Sequence, residues 1–381
     1  MALALVAVGA GAIGWIFSGT ILTPAPYGLM PEFEIADVSA TGDGAYLVTL
    51  PLPGPLSGDA PAQMARSDVP GRFGLLWQGG AGTLGPVVER DAEAVVRTVV
   101  PTRGRPPRVG DPARVDVTLF ADPADRGLAF DEVGVPGPVG ELPGWWLPGR
   151  PHDAILVLHG RRRADRTEAL RILPTLTATG ASVLVASYRN HDASPPSPDG
   201  FYHYGASEAD DAVAALRWLA DRGAQRVVLV GFSMGASVAI GALERWPDEA
   251  PQPIGLVLDS PLIDPQSVFT VGARDMGLPA PGVLAAWATR IAGWRSGVDF
   301  AALDLRLRAP ALDLPVLLVA GVEDGTVPIE LVDAFASALP RPPGYLRLDG
   351  VEHVEGWNAG PGRYEAEVES FLAPLVGASG P

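Results

Sequence analysis

The chain of 381 residues contains no cysteine and no lysine. Without cysteine there are no disulfides, no thiolate metal sites and no cysteine nucleophile, and the chain is indifferent to redox poise. Without lysine, all 28 basic residues are arginine, set against 44 acidic ones. The resulting formal charge of −16 offers no basic face to a phosphate backbone, so a nucleic-acid partner is excluded. Histidine is scarce: His152, His159, His191, His203 and His353 are the only five candidates for an imidazole base. Charge of either sign is missing before Glu32. What remains, 47% hydrophobic and 19% charged residues, suits a globular or membrane-associated chain and not a disordered one.

Residues 1–22 are uncharged and mostly apolar, long enough to cross a hydrocarbon core as a helix. Gly9, Gly11 and Gly14, with Glu34 further on, also spell a dinucleotide-binding fingerprint. That fingerprint needs an amphipathic helix after its glycines. Here the following "WIFSGTILTPAP" is apolar on every side and stopped by prolines. The expectation is therefore a membrane anchor over 1–22. No basic n-region or cleavage site marks it for removal, and the rest of the chain is expected outside the cytoplasm.

From residue 32 to about 148, short β-type runs ("AYLVTL", "GRFGLLWQG", "AVVRTVV", "RVDVTLFA") alternate with Gly and Pro turns. They predict a small antiparallel sheet or barrel. From "HDAILVLHG" onward, continuous apolar runs alternate with helical patterns, which predicts a parallel sheet flanked by helices. Residues 264–314 interrupt that rhythm with helix-like material and no strand. They are expected to form a helical cap over the ligand-binding edge, with Trp287 and Trp294, and Trp357 elsewhere, either lining an apolar pocket or simply packing.

In "VVLVGFSMGAS", Ser233 stands between Gly231 and Gly235, after a strand and before a helix. A nucleophile elbow requires that context, because the chain must turn sharply to expose the hydroxyl. A base and an orienting acid should follow along the chain. Asp324 lies in the loop after one predicted strand, and His353, the one histidine beyond Ser233, in the loop after the next. Glu323 and Asp259 remain alternatives for the acid. The loop "LHGRR" brings His159, Gly160 and Arg161 to the end of a strand, where the Arg161 amide could join that of Met234 as an oxyanion hole. His159 reads as a structural residue holding that loop, and His191 lies near the neighbouring strand end. Arg161–Arg163 form either a solvated face or an electropositive rim.

With "LHGRR", "GFSMGAS", "GVEDGTVP" and "GVEHVEGW" in this order, residues 125–377 resemble the α/β-hydrolase superfamily of serine hydrolases. They are most similar to a bacterial branch with an N-terminal membrane segment and an extra domain before the core. The resemblance makes "LAFDEVGV" and "ELPGWWLPG" the first, antiparallel strands of an α/β-hydrolase sheet and leaves 23–124 as a β-rich accessory domain. It implies cofactor-free, metal-free hydrolysis of an ester or acyl substrate by Ser233, His353 and Asp324. A tethered peptidase with the same triad and a non-catalytic scaffold are the alternatives. Nothing in the sequence speaks to oligomeric state.

Overall fold

The computed structural model describes residues 14–24, 31–52, 67–161, 165–191 and 193–377. Two sheets organise them. The first holds β1 (Phe33–Glu34), β2 (Asp37–Ala40), β3 (Tyr46–Pro51), β4 (Phe73–Trp77), β5 (Gly80–Arg90), β6 (Ala94–Gly104) and β7 (Pro112–Asp116). Its strands are antiparallel throughout, in the order β1-β7-β4-β5-β6-β3-β2. Apolar alternation decides which face turns inward. Val48 and Leu50 of β3, Leu75 and Trp77 of β4, and Val95 and Val99 of β6 share one buried cluster. Arg97 also points inward. Its guanidinium donates to the carbonyls of Gly85, Ser67 and Val69, and burial lowers its pKa to about 10.

The second sheet holds β8 (Asp131–Gly137), β9 (Gly140–Leu147), β10 (Arg150–Leu158), β11 (Ala181–Ala186), β12 (Arg226–Phe232), β13 (Gln252–Asp259), β14 (Val316–Gly321) and β15 (Gly344–Leu348). The order is β15-β14-β13-β12-β10-β11-β9-β8. β8 and β9 form an antiparallel hairpin, and β9 joins β11 antiparallel. The other pairings are parallel. The central strands are apolar on successive residues because both faces are covered. Ile155, Val157, Val228 and Val230 face one cluster, while Leu156, Leu158 and Leu229 face the other.

The helical residues 14–22 are designated α1. The later helices are α2 (Leu173–Ala178), α3 (Glu208–Ala220), α4 (Met234–Leu243), α5 (Pro265–Asp275), α6 (Pro281–Ser296), α7 (Leu305–Arg308), α8 (Ile329–Ala338), α9 (Gly356–Ala359) and α10 (Pro361–Leu372). α2 and α10 pack with the first of those faces, and α3 to α6 with the second.

Two expectations receive no support from the described residues. Residues 1–13 of the anticipated anchor lie outside the described residues. Among the described residues, no helix is long and apolar enough to cross a membrane. α1 instead packs on the body: Phe17, Ile21 and Leu22 are buried, Tyr204 Oη donates to the Ile21 carbonyl at 2.6 Å, and Arg295 donates to Ser18 Oγ at 2.8 Å. The insertion 264–314 has no residue lining the cavity beside Ser233. Its Phe269 and Phe300 meet Tyr204 edge-on at 5.2 and 5.6 Å, so its apolar side is spent on the α3–α4 face of the sheet.

Candidate active site

Ser233 sits between β12 and α4 with φ 49° and ψ −113°. A non-glycine residue rarely holds a positive φ, and here its neighbours over-determine it. The Ser233 amide donates to the Asp259 carbonyl at 2.9 Å, and the Ser233 carbonyl accepts from Leu262 at 3.1 Å. A Cβ on Gly235 would overlap the Leu158 carbonyl, and one on Gly231 would lie 2.6 Å from the Ala236 amide nitrogen. Both flanking positions therefore need glycine so that α4 can start close against β10.

Three side chains from three loops meet there. His353 Nε2 lies 2.9 Å from Ser233 Oγ, and His353 Nδ1 lies 2.7 Å from Asp324 Oδ2. The other Asp324 oxygen accepts the amides of Thr326 and Val327, both at 2.8 Å, which fixes the carboxylate plane. Burial works against an imidazolium at His353. The charge and hydrogen bond of Asp324, with Glu168 and Asp259 behind them, outweigh it and raise the His353 pKa above its ordinary value. The two alternative acids are engaged elsewhere. Glu323 accepts the Gly350 amide, and Asp259 accepts Tyr364 Oη at 2.8 Å and Ser260 Oγ at 3.1 Å.

A cavity of about 250 Å³ opens beside Ser233 and His353. Gly160, Arg161, Glu168 and Val354 form one side of it, and Val115, Asp116, Val117 and Thr118 the other. The second wall thus comes from the end of β7, in the accessory sheet. Neither Trp287, Trp294 nor Trp357 lines the cavity: the first two are exposed, and Trp357 is buried, donating to Glu365 at 2.8 Å. A larger hollow, about 440 Å³, lies within the accessory sheet near Val69, Leu84, Pro86 and Arg97. It has no nucleophile beside a base, so it carries no comparable chemistry.

The Gly160–Arg161 turn is held from two directions. The Gly160 amide donates to Glu168 Oε2 at 2.6 Å, while Tyr188 Oη donates to the His159 and Gly160 carbonyls at 2.6 and 3.0 Å. His159 stacks on Tyr188 with ring centres 4.4 Å apart, and its Nδ1 lies 2.8 Å from the Gly160 carbonyl. The Arg161 guanidinium lies over the Tyr204 ring at 4.8 Å. Arg162 and Arg163 lie outside the described residues. Met234 follows the serine at the head of α4 and is fully buried. His191 is buried 4.9 Å from the His159 ring and is not part of the cavity wall. Burial and the neighbouring His159 push its pKa well below the ordinary histidine value. Among the described residues, no cluster of three or more His, Asp or Glu side chains is arranged to hold a metal ion.

Several residues of the site escape sequence reasoning. Glu168 is fully buried in the cavity wall, and desolvation raises its pKa to about 7 in spite of nearby Arg171 and the Gly160 amide. The apolar pattern of the sequence predicts one helix over residues 164–179 and does not single out Glu168. That helix is in fact two pieces, a 3₁₀ stretch at Arg166–Arg171 capped by Asp165, then α2 with Pro174 in its first turn. Arg171 donates to the Val354 carbonyl at 2.6 Å and to Asn358 Oδ1 at 2.7 Å. Asn358 Nδ2 donates in turn to the carbonyls of Arg72 and Val117 at 2.6 and 2.9 Å. No local sequence signal marks either residue.

Residues 62–116 match the model of a family described as a domain of unknown function, DUF8805. Two crystal structures of the Pyrococcus furiosus esterase Pf2001 superpose with a TM-score of 0.54 each, at 22% and 23% identity. They cover 68% and 72% of this chain, and 95% and 100% of the esterase chains. At that identity the likeness establishes the fold, which is that of the α/β-hydrolases. Over 221 residues the chain is 31% identical to the uncharacterized proteins Rv2307c and MT2364 of two Mycobacterium tuberculosis strains, spanning 56% of this chain and 68% of theirs. With that likeness, the chain belongs to the family of Rv2307c and MT2364.

Proposed function

We propose that the protein is a serine hydrolase that cleaves carboxylic esters of short acyl chain. The observation that carries this reading is the unbroken line Ser233 Oγ, His353, Asp324, with spacings of 2.9 and 2.7 Å. In the proposed mechanism Ser233 Oγ attacks the ester carbonyl while His353 Nε2 takes its proton. Asp324 holds the ring in the tautomer with its proton on Nδ1 and stabilises the imidazolium. The amides of Met234 and Arg161 would receive the oxyanion. His353 then returns the proton to the leaving alkoxide, giving an alcohol and an acyl-Ser233 ester. Water, deprotonated by the same nitrogen, releases the acid and restores the serine. The preference for short acyl groups rests on the cavity of about 250 Å³, below the usual range for drug-sized ligands.

The test is to treat the full chain with a fluorophosphonate probe and locate the label by mass spectrometry, with Ser233→Ala as control. Label confined to Ser233, followed by turnover of acetyl and butyryl esters, supports the reading. A folded protein without label would sink it. Turnover of peptides in preference to esters would move it to amide hydrolysis by the same groups.

A further inference from the structure

We propose that the outer face of α6, together with the head of α1, docks on the surface of a lipid bilayer. α6 has spent its inner side already: Leu284, Ala285, Ala288 and Ala292 are buried in the core. Its outer stripe should be polar, yet it reads Val283, Trp287, Arg290, Trp294, at intervals of four, three and four residues along one face. Val283 is 60% exposed, Trp287 52% and Trp294 77%. The head of α1 widens the patch with Trp15 and Ile16, 49% and 71% exposed. Trp15 and Trp294 touch, with ring centres 6.1 Å apart, and the Arg295 guanidinium lies over Trp15 at 4.6 Å.

The mixture points to lipid. Tryptophan prefers the boundary between headgroups and acyl chains, and arginine beside it can reach phosphate while its stem stays apolar. The sequence preceding the patch supports the same occupant. Residues 1–13 carry no charged side chain, and they join the described chain at Gly14, where an added Cβ would lie 3.0 Å from Ile291 and 3.8 Å from the Trp287 Cβ. The uncharged segment is thus joined in sequence to a residue that lies against the tryptophan stripe. With a net charge of −16, both a second copy of the chain and a strongly anionic membrane would be repelled at long range. A zwitterionic bilayer would not.

The experiment is flotation of the full chain with phosphatidylcholine vesicles, repeated with brominated acyl chains that quench tryptophan. Wild type should float and be quenched. Trp287→Gln/Trp294→Gln should bind roughly tenfold more weakly or worse, with Tm and fluorophosphonate labelling unchanged. Trp287→Tyr/Trp294→Tyr, which keeps an interfacial ring, should recover most of the binding. Three results would overturn the proposal: no flotation of the wild type, equal flotation of the Gln variant, or a wild-type dimer that the Gln variant converts to monomer. None depends on the esterase reading, since flotation and quenching need no turnover.

Discussion

Asn358 Nδ2 donates to the carbonyl of Val117 at 2.9 Å, and through this bond the loop after His353 grips the accessory sheet. The same amide nitrogen also holds the Arg72 carbonyl, and the amide oxygen holds Arg171. One side chain thus ties the histidine loop, the cavity wall and a buried guanidinium together. Asn358→Leu leaves two carbonyls and a share of that guanidinium unpaired. It is expected to cost about 2–4 kcal/mol in urea unfolding. Asn358→Asp keeps the acceptor for Arg171 but sets a carboxylate oxygen against two carbonyls, and should also destabilise.

Activity should fall on the acid side as His353 takes a proton. Since Asp324 lifts the His353 pKa above its ordinary value, the acid limb of kcat/KM should lie above pH 6.5, the usual histidine midpoint. Asp324→Asn removes the charge that raises it. The limb should move to lower pH while kcat drops by about 10⁴-fold, because the neutral amide favours the wrong tautomer. A pH profile of both proteins checks this. An unshifted limb would mean that another group titrates.

Glu168 makes stability depend on pH in the direction opposite to a salt-bridged acid. Its pKa rises from 4.5 to about 7 on folding, chiefly through desolvation. Between those values the folded chain keeps a proton that the unfolded chain has lost, so stability declines as pH rises through the interval. Glu168→Gln can still accept the Gly160 amide through its carbonyl oxygen. Its Tm should fall less than that of the wild type between pH 5 and pH 8, a difference that calorimetry at several pH values measures.

The wall from the accessory sheet should set acyl length. Thr118 lines the cavity and lies in the connection that follows β7. Thr118→Trp fills space on that side of the cavity. Hydrolysis of butyryl esters should fall at least tenfold relative to acetyl esters, with labelling by a small fluorophosphonate retained. An unchanged ratio would show that acyl groups lie elsewhere.

The fold of the half that carries Ser233 is largely legible in the sequence because its signals are local. Apolar runs such as "AILVL" are buried on both faces, and the glycines around Ser233 are required by backbone contacts within a few residues or with the adjacent strand. The helix of residues 164–179 breaks where Pro174 and the Asp165 cap impose their own geometry, a boundary the apolar pattern alone does not mark. The cavity's second wall is not legible, since nothing local relates Thr118 to Ser233. The packing of the insertion is likewise not legible. Its tryptophans leave pocket lining and packing equally open, while Phe269 and Phe300 of the same insertion pack against Tyr204.

The bond between Val117 and Asn358 spans 241 residues of sequence. On a ribosome, the accessory strands emerge early and can pair among themselves while the catalytic half is still being made. Ser233 and then Asp324 follow, each in its own strand-end loop. His353 and the Asn358 clasp arrive only near the end of synthesis. A nascent chain therefore carries a wall without a site, then a serine without a base. On the proposed reading, hydrolytic competence comes as one of the last events of translation, and a chain truncated before the final strand-end loop is released inert.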